Sequence, residues 1–113
     1  TLAENHRQLI AIGSGGSNRL RTAILQTLVN LIDFGMPPEE AVNAARIHIE
    51  RGELDIEPGL TPAAVERLRE QYPKLRAWDS HNLFFGGTHT VCWDGRHFSG
   101  AGDPRRGGVF QKA

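Results

Sequence analysis

The chain has 113 residues, enough for one domain with a modest hydrophobic core, and its 39% hydrophobic and 23% charged residues exclude a disordered chain. Thirteen Lys and Arg balance thirteen Asp and Glu, which argues against a general nucleic-acid-binding protein, since such a protein needs an excess of positive charge. No apolar run approaches the length of a membrane span, and the single cysteine, Cys92, excludes an internal disulfide.

The first third of the chain predicts a strand, a glycine-rich loop and a helix. The short apolar run "LIAI" stops at Gly13, as is typical of a buried strand. Apolar residues then recur at helical spacing over residues 20–32, and Ser17 or Asn18 is suited to cap the start of that helix. Gly35 is expected to end the helix in a left-handed conformation.

The middle of the chain predicts two more helices, separated by short strands. The segment "PPEEAVNAA" opens with prolines and glutamates, which favour a helix start. The segments "RIHIE" and "ELDIEPG" alternate apolar and polar residues, which indicates extended backbone. The segment "LTPAAVERLREQY" predicts a helix capped by Thr61, with Pro62 as its first residue and with Val65, Leu68 and Tyr72 on its inner face.

The last third predicts a β-hairpin. In "THTVCWDGRHFSGA", Asp94-Gly95 lies between two alternating runs and predicts a two-residue turn. That turn places Trp93 opposite Arg96, where a cation–π contact is expected, and Cys92 opposite His97. The order of the predicted elements indicates an α+β fold or part of a layered sandwich.

The glycine-rich segment "IAIGSGGSNRL" is the strongest candidate for a functional site. A loop between a strand and a helix start presents unpaired backbone N–H groups, which favour a phosphate, a carboxylate or a transient oxyanion. The phosphate-loop pattern fails because no lysine follows Gly16, and the dinucleotide pattern fails because Asn18 stands where a third glycine is needed. An oxyanion or carboxylate site and a merely structural turn both remain open.

The histidines and the cysteine do not predict a metal site. His81, His89 and His97 are spaced by eight residues, with Cys92 between the last two. In the predicted hairpin His89 and His97 point to opposite faces, which leaves His97 and Cys92 as the only neighbouring ligands. No metal is therefore expected, and Cys92 is expected to be packed rather than reactive.

No nucleophile is evident. An N-terminal threonine such as Thr1 can use its own α-amine as a base, but a chain boundary in a polar segment would look the same. Ser14 and Ser17 lie in the glycine-rich loop without the G-x-S-x-G pattern of a serine nucleophile. These two serines are candidates only for contact with a substrate.

Three arginines lie at junctions between predicted elements. Arg46 stands between a helix and a strand, and Arg105 and Arg106 lie in "GAGDPRRGG". Arginines in such places often tie loops to carboxylates by forked hydrogen bonds, so we predict structural roles for Arg46 and Arg105. Solvated surface arginines are the alternative.

Two stretches of the chain resemble one protein family. "GSGGSNRLRTAILQTLVNLIDFGMPPEEAVNAARIHIERGELDIEPG" is similar to the C-terminal part of the small subunit of bacterial gamma-glutamyltransferases, and "GAGDPRRGG" resembles the segment that ends those chains. The resemblance extends from about residue 9 to the C-terminus. Ala45 departs from the proline that the family usually has before the arginine matching Arg46.

The resemblance implies a four-layer αββα sandwich of the N-terminal-nucleophile hydrolase type. The precursor would cleave itself into two subunits, and the new N-terminal threonine of the small subunit would attack gamma-glutamyl amides such as glutathione. The double glycine of the family matches Gly15 and Gly16, which implies that their N–H groups stabilise the oxyanion of the transition state. The family uses no cofactor, and its bacterial members imply a periplasmic or secreted location.

The matching residues do not include a nucleophile. In the family it lies many tens of residues before the glycine segment, whereas 12 residues precede Gly13, so Thr1 does not match it. The serine pair and the large-subunit arginine that hold the substrate's α-carboxylate are also absent. We therefore predict that residues 1–113 are a single domain or fragment of the small subunit that is inactive alone.

The expected partners follow from this prediction. They are a gamma-glutamyl substrate together with the rest of the small subunit and the large subunit, or further copies of the chain, because a sandwich fragment exposes sheet edges and apolar faces. A non-catalytic anion-binding or interaction module derived from the same fold is the alternative function.

Overall fold

The structure is a computed structural model that describes residues 1–5, 7–15 and 19–112. A four-stranded sheet joins β1 (Leu2–Glu4), β2 (Leu9–Gly15), β6 (Gly87–Trp93) and β7 (Phe98–Ala101), in that order and all antiparallel. A three-stranded sheet joins β3 (Ile47–Glu50), β4 (Glu53–Ile56) and β5 (Leu75–Ala77), with β4 and β5 parallel. The helices are α1 (Leu20–Ile32), α2 (Pro38–Asn43) and α3 (Pro62–Gln71), and single 3₁₀ turns occupy Leu83–Phe85 and Pro104–Arg106. The predicted α+β class is confirmed.

The hydrophobic core lies between the four-stranded sheet and the helices α1 and α2. Side chains alternate along β2, so Ile10 and Ile12 are buried while Leu9 and Ala11 on the opposite face are exposed. Leu31 of α1 and Ala41 of α2 complete the cluster around the two isoleucines, together with Cys92 of β6. Among the described residues, no helix is long and apolar enough to cross a membrane.

The predicted helix ends are confirmed in part. Thr61 caps α3, because its hydroxyl accepts a hydrogen bond from the Ala64 N–H at 3.2 Å, and Pro62 is the first helical residue. No residue of α3 is buried, so its inner face is only half-covered. Gly35 has the expected left-handed conformation, with φ of 64°. Arg19 precedes α1 and makes no capping bond, whereas Ser17 and Asn18 lie outside the described residues.

Strand β2, the first strand that the sequence predicts, is longer than its apolar pattern indicates. The structure continues β2 through Gly13 and Ser14 to Gly15, whose ladder partner is Gly87 of β6. The apolar pattern stops at Gly13, but the neighbouring strand β6 pairs with three more residues, Gly13, Ser14 and Gly15, which the pattern does not reveal.

The predicted turn of the hairpin is wrong by two residues in register. Trp93 pairs with Phe98 rather than Arg96, and Cys92 pairs with Ser99 rather than His97. The Asp94 carboxylate accepts hydrogen bonds from the Arg96 and His97 N–H groups at 2.8 and 2.7 Å, which closes a four-residue loop. The expected contact between Trp93 and Arg96 is replaced by a contact between the Trp93 and Phe98 rings, whose centroids lie 4.5 Å apart.

Candidate functional site

The glycine-rich segment begins at the end of a strand, where its backbone is held on one side. Gly15 is the last residue of β2 and lies opposite Gly87, the first residue of β6. Helix α1 begins five residues later at Leu20, so the segment joins a strand end to a helix start, as predicted. Gly16 and Ser17 lie outside the described residues.

The Ser14 hydroxyl makes two local hydrogen bonds. It accepts a hydrogen bond from the Gly87 N–H at 3.2 Å and donates one to the Gly15 carbonyl at 3.1 Å. The first of these bonds holds the β2 end against the β6 start, whereas the second lies within β2. Thr1 lies beside an earlier part of β2, where its amino group donates a hydrogen bond to the Ile12 carbonyl at 2.9 Å.

A side chain from the C-terminal part of the chain covers this strand end. Arg106 lies over the two paired glycines, because a Cβ atom built on Gly87 would lie 2.7 Å from the Arg106 Cδ, and one built on Gly15 would lie 3.2 Å from it. Neither glycine therefore accepts a larger residue unless Arg106 moves. The resemblance to gamma-glutamyltransferases assigned Arg106 no role, and its contact with Gly15 joins residues at opposite ends of the chain.

A buried cluster of four charged side chains lies behind the glycine pair. Arg46 pairs with Asp103 at 2.6 Å, and Arg105 pairs with Glu57 at 2.6 Å and with Asp103 at 3.2 Å. The two arginines and the two carboxylates balance in charge, which is the condition under which buried ions are tolerated. Arg46 also donates to the Thr88 hydroxyl at 2.6 Å.

Backbone groups satisfy most of the remaining oxygen atoms of this cluster. Asp103 accepts hydrogen bonds from the Thr88 and Arg105 N–H groups at 2.8 and 2.9 Å. Glu57 accepts from the Arg46 and Asn82 N–H groups at 2.9 and 3.1 Å. The cluster therefore ties the starts of β3 and β6 and the 3₁₀ turn at Pro104–Arg106 to one point.

The pKa values of the cluster show how burial competes with charge pairing. Burial alone would raise the pKa of Asp103, but the charge of Arg46 and the hydrogen bonds it receives hold that pKa below its ordinary value. Burial and the neighbouring charge of Arg105 lower the pKa of Arg46. Burial acts the same way on Arg105, but the hydrogen bond and charge of Glu57 outweigh it, and the pKa of Arg105 is raised.

The sequence pattern indicated Arg46 and Arg105 but missed their carboxylate partners. Glu57 directly follows β4, and Asp103 stands directly before a proline. Each carboxylate is followed directly by a proline, a signal in the sequence that could have pointed to both positions. A separate ion pair, in which the arginine is exposed, joins Asp55 to the Arg76 Nε at 2.6 Å on the neighbouring strands β4 and β5.

The histidines and the cysteine that the sequence offers as possible metal ligands are dispersed in the structure. His89 lies on the exposed face of β6, and its Nδ1 accepts a hydrogen bond from the Asp103 N–H at 3.2 Å. Cys92 is buried, and that burial raises the pKa of its thiol. In residues 1–5, 7–15 and 19–112 no three His, Cys, Asp or Glu side chains come together in a way that could hold a metal ion.

The chain matches known proteins along its whole length. A family model described as gamma-glutamyltranspeptidase matches residues 1–113. A glutathione hydrolase proenzyme of Escherichia coli is 34% identical over 100 residues, which cover 85% of this chain and 16% of that protein. The chain thus spans about a sixth of the length of this curated relative.

Solved structures agree with the sequence match. The Bacillus anthracis transpeptidase CapD aligns with a TM-score of 0.85 and 25% identity, over 100% of this chain and 68% of that chain. A gamma-glutamyltranspeptidase of Pseudomonas nitroreducens aligns with a TM-score of 0.81 and 25% identity, over 100% of this chain and 60% of that chain. The fold around the glycine pair is therefore the fold of these enzymes, and the chain belongs to the gamma-glutamyltranspeptidase family.

Proposed function

We propose that this chain is the C-terminal part of the small subunit of a gamma-glutamyltransferase or hydrolase that acts on gamma-glutamyl amides such as glutathione. The family match over residues 1–113 carries this proposal. The nucleophilic threonine and the residues that hold the α-carboxylate of the substrate would come from the rest of the small subunit and from the large subunit.

The proposed contribution of the chain is the oxyanion site at Gly15 and Gly16. An acyl-transfer reaction develops negative charge on the carbonyl oxygen, and backbone N–H groups that are fixed beforehand stabilise that charge. Two observations support this role for Gly15: its position next to the segment that leads into α1, and the fixed backbone that its pairing with Gly87 provides. Glycine at both positions keeps side chains away from the reacting carbonyl.

A substitution in the complete enzyme tests the oxyanion role. Gly16→Val should lower the rate of acylation by gamma-glutamyl-p-nitroanilide about 10²–10³-fold, the usual loss when one oxyanion donor is displaced. The burst of nitroaniline release from fully processed enzyme measures acylation apart from self-cleavage. Gly13→Ala is the matched control, because a Cβ atom on Gly13 would meet nothing within 4 Å.

Two results would contradict the proposal. An unchanged acylation rate in Gly16→Val would leave only a structural turn at this position. Turnover of gamma-glutamyl-p-nitroanilide by the purified 113-residue chain, abolished by Thr1→Ala, would show that the chain carries its own nucleophile.

A further inference from the structure

The glycine pair at the end of β2 and the start of β6 lies under one arginine side chain. Gly15 and Gly87 lie on the same face of the four-stranded sheet as His89, which is exposed, yet Gly87 itself is buried. The stem of Arg106 provides the cover, since a Cβ atom on Gly87 would lie 2.8 Å from the Arg106 Cγ. Because Gly15 and Gly87 have no side chains, the Arg106 side chain can lie directly over their backbone.

A hydrogen-bonded turn fixes the backbone of Arg106. The Asp103 carbonyl accepts hydrogen bonds from the Arg106 and Gly108 N–H groups at 3.1 and 2.9 Å, and Gly107 closes the turn with a left-handed φ of 64°. The neighbouring Arg105 is buried in its ion pair with Glu57. A side chain that leaves such a turn has less freedom than one on an exposed loop.

The guanidinium of Arg106 differs from those of the other arginines near the site. Arg46 and Arg105 are buried and paired with carboxylates, whereas Arg106 is exposed and makes no side-chain hydrogen bond or ion pair with the described residues. Its terminal nitrogen would lie 3.3 Å from a Cβ atom on Gly15. A cation with a forked set of donors therefore lies beside the glycine that we place in the oxyanion site.

We infer that Arg106 is a specificity-determining residue that binds a carboxylate on the leaving group of the substrate. The inference rests on the proposed function. A guanidinium binds a carboxylate through two parallel hydrogen bonds. The α-carboxylate of the glutamyl group would be held by residues outside this chain, which leaves Arg106 for a second carboxylate near the scissile amide. The favoured substrates are therefore gamma-glutamyl amino acids, in which one carbon atom separates the amide nitrogen from the carboxylate.

Two gamma-glutamyl substrates that differ in one charged group test this inference in the complete enzyme. Gamma-glutamylglycine carries the carboxylate, and gamma-glutamylglycinamide replaces it with a neutral amide. We expect the enzyme to have the higher kcat/KM for gamma-glutamylglycine. Arg106→Gln should reduce this preference at least about tenfold, because it removes the charge and the paired donors of the guanidinium, with little change for the amide. Arg106→Lys keeps the charge without the fork and should retain part of the preference.

The control variant is Arg96→Gln, which removes the same charge from the hairpin loop at the other end of β6 and should leave the preference unchanged. An equal loss for both donors in Arg106→Gln would show a structural role and overturn the inference, as would an unchanged preference. Absence of turnover with every gamma-glutamyl donor in the unmodified enzyme would overturn the proposed function itself, and the inference with it.

Discussion

Asp103 shows how one buried residue can connect distant parts of the chain. Its carboxylate is fully buried and contacts both arginines of the cluster, at 2.6 Å for Arg46 and 3.2 Å for Arg105. A buried charge without partners is very unfavourable, so each ion of the cluster requires the others. The residues that position the glycine pair are therefore coupled through electrostatics rather than through apolar packing alone.

We expect Asp103→Asn to destabilise the chain by roughly 3–5 kcal/mol, because it leaves Arg46 buried without its counter-charge. The free energy of unfolding from urea denaturation at neutral pH measures this loss. Asp79→Asn, at an exposed position, is the matched control.

The pH dependence of stability provides an independent check of this role of Asp103, when the unmodified chain is compared with Asp103→Asn. The pKa of Asp103 in the folded chain lies below its ordinary value of 3.8, so its contribution to stability is complete above that pH. The contribution is lost as the pH falls through the folded-state pKa, and the difference between the unmodified chain and Asp103→Asn should shrink below pH 3.8. Equal stability of the two at neutral pH would mean that the cluster does not support the fold.

At the scale of elements, the hairpin shows a side chain overriding a turn preference. Asp94-Gly95 is typical of a two-residue turn. In the structure Asp94 uses its carboxylate to bind two N–H groups of the loop, and those hydrogen bonds lower its pKa. The register moves by two residues, so every side chain of β7 keeps the face that the alternation predicts.

Asp94→Ala should reduce the free energy of unfolding, because it removes the acceptor of two exposed hydrogen bonds. Asp94→Asn retains a side-chain oxygen and should keep most of the stability. Urea denaturation measures both variants. A loss in Asp94→Asn as large as that in Asp94→Ala would assign the effect to charge rather than to the loop hydrogen bonds.

At the scale of the whole molecule, the two faces of the four-stranded sheet are covered unequally in the described part of the chain: the C-terminal segment covers one face only in part, at Gly87 and Gly100. Helices α1 and α2 cover the face of Ile10 and Ile12. On the other face Val91 is 39% exposed and Phe98 52% exposed. Apolar surface of this kind marks a contact with another protein segment.

We expect the isolated chain to self-associate through the exposed apolar part of this face, at Val91 and Phe98, because a second copy of the chain offers the same apolar surface in solution. Sedimentation velocity over a range of concentrations measures the association. Val91→Lys places a charge in the middle of the face and should shift the chain towards monomer. Leu25→Lys makes the same change at an exposed position on α1, on the covered side of the sheet, and should leave association unchanged. A monomer at all concentrations would contradict the expectation.

The sequence by itself determined the features that depend on neighbouring residues. The periodicity of α1, the Thr61-Pro62 start of α3 and the left-handed Gly35 all follow from backbone sterics and hydrogen bonds within a few residues. The resemblance to a known family is also carried by local patterns, the stretch from Gly13 to Gly59 and the segment "GAGDPRRGG", and these patterns are enough to indicate the family, whereas the oxyanion role of Gly15 and Gly16 stays a prediction.

The tertiary structure alone decided which distant groups meet. Arg46 and Asp103 are 57 residues apart in the chain, and Arg105 and Glu57 are 48 apart. No local pattern encodes such pairs, because they form only when packed elements bring the two charges out of water together. The position of Arg106 over Gly15 is of the same kind: the sequence shows an arginine and a glycine, and the fold places one upon the other.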